Sequence, residues 1–186
     1  MTALLPQPPF QVRLLIELAR PDDAGAIAAI RVRAAEDLTE RFGGGHWSSL
    51  ASEKNVVSGM RTGRVVVARR GATVVGTLSL QTKKPWAIDT TYFTQSSAPW
   101  YLTNMAVDPS QQRKGVGREL MVDAERFVRE WGGDAIRLDA YDSPAGAGSF
   151  YARCGYREVG RVTYRVVPLV YYERVVSEES GVRSEE

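Results

Sequence analysis

The chain is 186 residues long and 44% hydrophobic, enough for one domain with its own core. A net charge of +2, with its basic residues scattered, gives no reason to expect a nucleic-acid partner. There is no apolar run long enough for a membrane-spanning helix, and one cysteine with one histidine leaves neither a disulfide framework nor a His/Cys metal site.

The N-terminal MTALLPQPPF lacks the basic start and long apolar stretch of a secretion signal. Together with the lone Cys154 it points to a cytoplasmic protein. Residues 1–11 read as an extension, 12–176 as the domain, and 177–186 as a polar tail expected to be disordered. VRLLIELA (12–19) is rich in branched residues and predicts a strand. Pro21, Asp22 and Asp23 suit the first turn of a helix. Ile27, Ile30, Ala34 and Leu38 then recur at helical spacing until Gly43-Gly44-Gly45. A second short helix is expected from Ser49 to about Met60. RVVVARR and TVVGTLSLQ form a hairpin around Gly71. Lys83 to Pro99 is an irregular stretch whose length and aromatics mark it as structured or functional.

YLTNMAV (101–107) predicts another strand, closed by Asp108-Pro109. Val116, Leu120, Ala124, Phe127 and Trp131 make the buried stripe of an amphipathic helix that Gly132-Gly133 ends. AIRLDAY is a strand, SPAGAGSFYARCGY a short helix, and two strands follow around Pro168. No repeat or shift in composition marks a second domain.

Between the strand at 101–107 and the amphipathic helix lies QQRKGVGREL. A helix N-terminus offers unpaired N–H groups and partial positive charge, and glycine lets backbone approach an anion closely. Arg113, Lys114 and Arg118 add charge there. These residues fit a diphosphate held mainly by main chain; a tight turn whose glycines serve packing alone is the other reading. A nucleotide P-loop is excluded because G-x-x-x-x-G-K-[ST] is absent, and Leu120 stands where a dinucleotide fingerprint needs its third glycine.

Gln112-Arg113-Lys114-Gly115-Val116-Gly117 resembles the Q/R-x-x-G-x-G/A signature of the GCN5-related N-acetyltransferase (GNAT) family. Ala147-x-x-Phe150-Tyr151-x-x-x-Gly155-Tyr156 is similar to its A-x-x-L-Y-x-x-x-G-F segment. The resemblance covers about 12–176 and is strong from Tyr101 to Tyr156. It implies a single-domain α/β fold, with a mixed sheet of about seven strands flanked by about four helices. It further implies an enzyme that moves acetyl from acetyl-CoA to a primary amine, on a small molecule or a protein N-terminus, by direct attack in a ternary complex. The competing reading is a CoA-binding module without catalysis, a sensor or partner-binding subunit. The family's habit also leaves room for a homodimer.

Carried over residue by residue, the resemblance makes Gln112, Arg113, Lys114, Gly115, Val116, Gly117 and Arg118 the pyrophosphate cradle. Met105, Ala106 and Val107 would supply backbone for the pantetheine arm and the oxyanion. Tyr151 would donate to the leaving thiolate, and Asp139 is the candidate base, with a water chain as the alternative. Pro144 departs from the asparagine usual at the start of the second segment. Proline can occupy a first helical turn, so a helix starting there is expected to survive without that contact. For the acceptor, RFGGGHWSS offers Phe42, His46 and Trp47, and KKPWAIDTTYF offers Trp86 with Asp89 and Tyr92. Aromatics with Asp89 and Asp139 would fit a cationic amine.

Overall fold

The computed structural model describes residues 13–48 and 51–176. The expectations for 1–11 and 177–186 fall on positions outside the described residues, as does Ser49 itself. Seven strands form one sheet in the order β1-β2-β3-β4-β5-β7-β6. They are β1 (Leu14–Leu18), β2 (Arg64–Arg70), β3 (Thr73–Gln81), β4 (Pro99–Val107), β5 (Ala135–Tyr141), β6 (Arg157–Tyr164) and β7 (Val167–Val175). The helices are α1 (Ala24–Phe42), α2 (Glu53–Thr62), α3 (Val116–Glu130) and α4 (Gly148–Arg153). This is the mixed, helix-flanked sheet that the sequence led us to expect.

The sheet is buried on both faces, which is why its central strands read as continuous apolar runs rather than alternating ones. In β2, Val66 and Ala68 join the core under α3, while Val65 and Val67 join a second core under α1 and α2. The α3 core takes Val116, Leu120, Met121, Ala124, Phe127 and Val128 from that helix, together with Ile136, Leu138 and Ala140 of β5. The predicted stripe is therefore the core face. Trp131 lies one residue past α3 and is only partly buried against it.

The irregular stretch after β3 is packed against the sheet. Ile88 is buried with Tyr101 and Tyr171, and the Tyr171 hydroxyl donates to the Ala87 carbonyl while accepting from the Asp89 amide. Buried Glu173 accepts from the Thr94 amide and hydroxyl and pairs with Arg137 at 3.1 Å.

Two expectations need correction. The helix of the second glycine-ended segment is only Gly148–Arg153, and Pro144 stands before it in a turn closed by Gly146 N–H donating to Ser143 O at 2.8 Å. Pro144 is therefore not in a helical first turn. Helix α2 begins at Glu53, because the Ser52 hydroxyl accepts from the Asn55 amide at 3.2 Å and caps it there.

One feature of the sheet positions the site. β4 and β5 are its parallel pair, and they share register only at Pro99↔Ala135, Trp100↔Ile136 and Tyr101↔Arg137. Beyond Tyr101 the strands separate. β4 keeps its other partner, β3, to the end, pairing Ala106 with Thr77 and Val107 with Gly76.

Candidate active site

A cavity of about 570 Å³ lies at the separation of β4 and β5. Its walls include Leu102, Met105, Ala140, Ala147 and Tyr151 from the α3 side of the sheet, and Arg31, Thr103, Asp139 and Tyr141 from the α1 side. The opening thus passes through the sheet. Strand side chains alternate between faces, so Asp139 and Tyr141 enter it from one side of β5 while Ala140 faces the other.

β4 bends where the cavity opens. Its register against β3 shifts between Thr77↔Ala106 and Ser79↔Thr103, placing an extra residue in β4, and Asn104 adopts φ 53°. Such a bulge re-aims the strand, and asparagine tolerates left-handed backbone better than most residues. Along Thr103–Val107 the edge facing β5 has no strand partner. Backbone N–H and C=O groups on that edge are open to a ligand that lies along it.

At the end of β4 the chain turns into α3. Asp108 accepts from the Ser110 amide at 3.0 Å and pairs with Arg33 of α1 at 2.6 Å, so α1 is anchored beside the turn. The Gln112 side chain donates from Nε2 to the Val107 carbonyl at 3.3 Å. Arg113 and Gly115 both have positive φ, 61° and 84°, and Gly115 is the N-cap of α3 without a side-chain cap. That leaves the first-turn N–H groups of α3 unsatisfied by any capping side chain, beside exposed Arg113, Lys114 and Arg118. Val116 is buried in the core, so its contribution to the turn is backbone only. Gly117 has a second reason to be glycine: a Cβ there would lie 3.2 Å from the Phe150 ring. It therefore also serves the packing of α3 on α4.

Tyr151 is buried, with its hydroxyl 3.9 Å from Met105 Sδ. Burial, and then the Asp139 and Cys154 charges, push its pKa far up, so it is protonated at neutral pH. Burial also raises the Asp139 carboxyl, against a hydrogen bond from its own backbone amide. Tyr141 is raised by burial and by Asp139.

The structure brings Met105, Ala106, Asp139, Tyr151, His46 and Trp47 to this one cavity, and sets Val107 and Gln112–Arg118 at the adjoining turn. His46 and Trp47 form a short 3₁₀ turn whose rings stack on and meet the edge of Tyr141, at 6.2 and 5.6 Å. The tryptophan pins its loop to the end of β5, not to a separate core. Phe42 and Trp86 do not line the cavity. Phe42 ends α1 in solvent with Arg41 over its ring, and Trp86 is 86% exposed on the packed 83–98 loop. Asp89 caps its own loop through the Thr91 amide, and Tyr92 packs on Tyr171.

Sequence reasoning missed Arg31, counting it among scattered surface cations. It stands four residues after Ile27 and before Ala35 and Leu38, so it falls on the apolar stripe of α1. That stripe is core at Ile27 and Ile30 but becomes cavity wall at Arg31, Ala34, Ala35 and Leu38. A cation on an apolar stripe was the available signal. Among the described residues no group of three or more His, Cys, Asp or Glu is placed to hold a metal, and no helix is long and apolar enough to cross a membrane.

Comparison with known proteins agrees with this geometry. Residues 31–156 match the family model described as the acetyltransferase (GNAT) family. The chain belongs to that family. It is 36% identical over 56 residues to an uncharacterized N-acetyltransferase, YvbK, of Bacillus subtilis, a match covering 30% of this chain and 36% of that protein. It is 32% identical over 76 residues to an aminoglycoside N(6')-acetyltransferase type 1 of Stenotrophomonas maltophilia, covering 41% of this chain and 50% of the relative. These matches thus span half or less of each curated relative. The fold is similar to that of yncA, a putative acetyltransferase from Salmonella typhimurium solved with acetyl-CoA, with a TM-score of 0.65 and 17% identity over 92% of this chain and 99% of the other.

Proposed function

We propose that this protein transfers an acetyl group from acetyl-CoA to a primary amine, both substrates being bound together. The observation that carries this is the separation of β4 and β5, with Tyr151 and Asp139 on the walls of one cavity that opens beside the uncapped start of α3. The residues present fit the cofactor. Gly115, Gly117 and the first N–H groups of α3 would hold its diphosphate, with Arg113, Lys114 and Arg118 adding charge. The free edge of β4 from Met105 to Val107 would pair with its amide-bearing arm as an added strand does. When bound, acetyl-CoA supplies the activated acyl group and a thiol leaving group.

Backbone N–H groups of β4 stabilise negative charge that develops on the acyl oxygen, since they are already oriented and need no rearrangement. Tyr151 keeps its proton at neutral pH and presents it as a donor to the departing sulfur. Asp139, its basicity raised by burial, accepts a proton from the incoming ammonium directly or through water. Tyr141 and Trp47 close the acceptor side against bulk solvent.

Acetyl-CoA turnover, followed as free thiol release with a panel of amines, tests this reading against a catalytically silent CoA-binding module. Tyr151→Phe should bind acetyl-CoA as the wild type does and lose most of its turnover. Equal turnover in the two proteins would remove Tyr151 from the mechanism. Acetyl-CoA binding without turnover on any amine would favour the module.

A further inference from the structure

Arg31 carries a charge that the rest of the protein does not neutralise. It lies on the α1 wall of the cavity, and among the described residues it pairs with no carboxylate. Its hydrogen bond is from Nη2 to Ser79 Oγ of β3 at 3.2 Å, and its Nε is buried with no partner. Arg70 shares a buried Nε without a partner but lies outside this cavity, whereas Arg69 and Arg137 are paired. Arg69 has Glu17 and Asp23 at 2.7 and 2.5 Å, and Arg137 has Glu173 at 3.1 Å. Burial works against the charge of Arg31, yet a guanidinium stays charged in proteins. An unpaired, largely desolvated cation is costly unless a ligand completes it.

The groups around it define that ligand. Among the described residues that line the cavity, Arg31 of α1 and Asp139 of β5 are the guanidinium and the carboxylate, and they approach it from different elements. Arg31 is moored at Ser79, which pairs with Thr103, and Asp139 lies on β5 beyond Thr103, so the two charges flank β4 on the same face. Two strand spacings separate β3 from β5, at least roughly 10 Å. The Trp47 indole N–H, on the same wall, is a second donor without a partner. This wall therefore holds Arg31 at the β3 side of β4 and Asp139 at the β5 side, with the Trp47 donor beside Tyr141 of β5.

We infer that the acetyl acceptor is an amine that also bears a carboxylate, as an amino acid does, and that Arg31 binds that carboxylate while the amino group lies toward Asp139. The inference rests on the acetyl-transfer reading and sharpens its acceptor. A polycation such as an aminoglycoside, the substrate class in one relative's name, would bring its further ammonium groups toward Arg31, a cation that no carboxylate in the described residues pairs with.

The test compares acceptors that differ in the carboxylate alone. Acetyl-CoA binding to the full chain is measured first by calorimetry. Turnover is then measured with L-phenylalanine, L-phenylalaninamide and phenethylamine, and with β-alanine and β-alaninamide, in wild type, Arg31→Gln and Arg31→Lys. Binding of each acceptor to the CoA-loaded protein is measured as well. The acids should exceed the counterparts that lack a carboxylate by about tenfold or more in kcat/KM. Arg31→Gln should erase that preference through KM, leave the amides unchanged and keep or raise Tm, and Arg31→Lys should restore part of it. Amides and amines acetylated as well as the acids, or a loss in Arg31→Gln that falls equally on both, would overturn the inference and leave acetyl transfer standing. Failure to bind acetyl-CoA at the first step would overturn the transfer reading, and the acceptor assignment with it.

Discussion

The two sides of the cavity are built from different materials. On the donor side, the end of β4, the turn and the start of α3 are one continuous segment, and the groups proposed to work there are backbone N–H. On the acceptor side, Arg31 of α1, Trp47 of the following turn, and Asp139 and Tyr141 of β5 come from three separate elements, and the groups proposed to work there are side chains. A main-chain site needs particular backbone shapes at neighbouring positions, so it leaves a short, local pattern of glycines. A side-chain site needs only that the fold bring distant residues together, so any one of them looks ordinary in the sequence.

The largest break in this comparison should come on the donor side. Gly117→Glu places bulk and negative charge where the diphosphate would sit and presses on the Phe150 ring. We expect acetyl-CoA binding to vanish in calorimetry, and normal affinity in a folded variant would refute the cradle. Gly115→Ala isolates backbone conformation, because the position has open space but φ 84°. An L residue there costs about 1–2 kcal/mol, to be read as a lower Tm with weakened acetyl-CoA binding.

Between the two sides stands Tyr151. Tyr151→Phe should lower kcat about 10²-fold with acetyl-CoA affinity unchanged in the same titration. Asp139 gives a pH signature. Because burial raises its pKa, activity should fall with decreasing pH above the ordinary carboxylate range. Asp139→Asn should flatten that limb of the kcat/KM profile and lower the plateau roughly 10-fold. A raised pKa in the folded state means that the ionised carboxylate costs stability. The cost is complete above the raised pKa and gone below the unfolded value near 4. Asp139→Asn should therefore raise Tm at neutral pH, and an unchanged pH profile would point to a water chain instead.

The smallest effect on activity should come from a carboxylate outside both sides. Burial works against ionised Asp134, but hydrogen bonds from Ser96, Ser97 and Ala98 outweigh it and lower its pKa to about 2. Its contribution is present above about pH 4 and lost as pH falls toward the lowered value. Asp134→Ala should cost about 1 kcal/mol after solvent screening, seen as a lower Tm with kcat/KM unaltered.

These differences also explain what was legible in the sequence. The α3 stripe and the Gly115–Gly117 pattern were readable because periodicity and backbone shape are local. The position of Asp139 on a strand could be read, but its companions could not. Arg31 is not legible from net charge, which carries no position; only its place on the apolar stripe of α1 marks it. Asn104 hides a β-bulge that no apolar pattern reports. Pro144 was set in a helix because the short segment around it fits helix and turn alike, and the Ser143–Gly146 hydrogen bond decides for the turn. Trp86 looked like a ligand contact because aromatics in loops often are. Here the loop is held by Ile88, Tyr171 and Glu173, and the tryptophan points away from that packing into solvent.

The most direct test of the central claim, that the parted strands and the start of α3 hold acetyl-CoA, is calorimetric titration of the full chain with acetyl-CoA, repeated with 3′-dephospho-CoA and with ATP. The account predicts single-site, micromolar binding of acetyl-CoA and little response to ATP. No heat with acetyl-CoA, or an equal response to ATP, would contradict it.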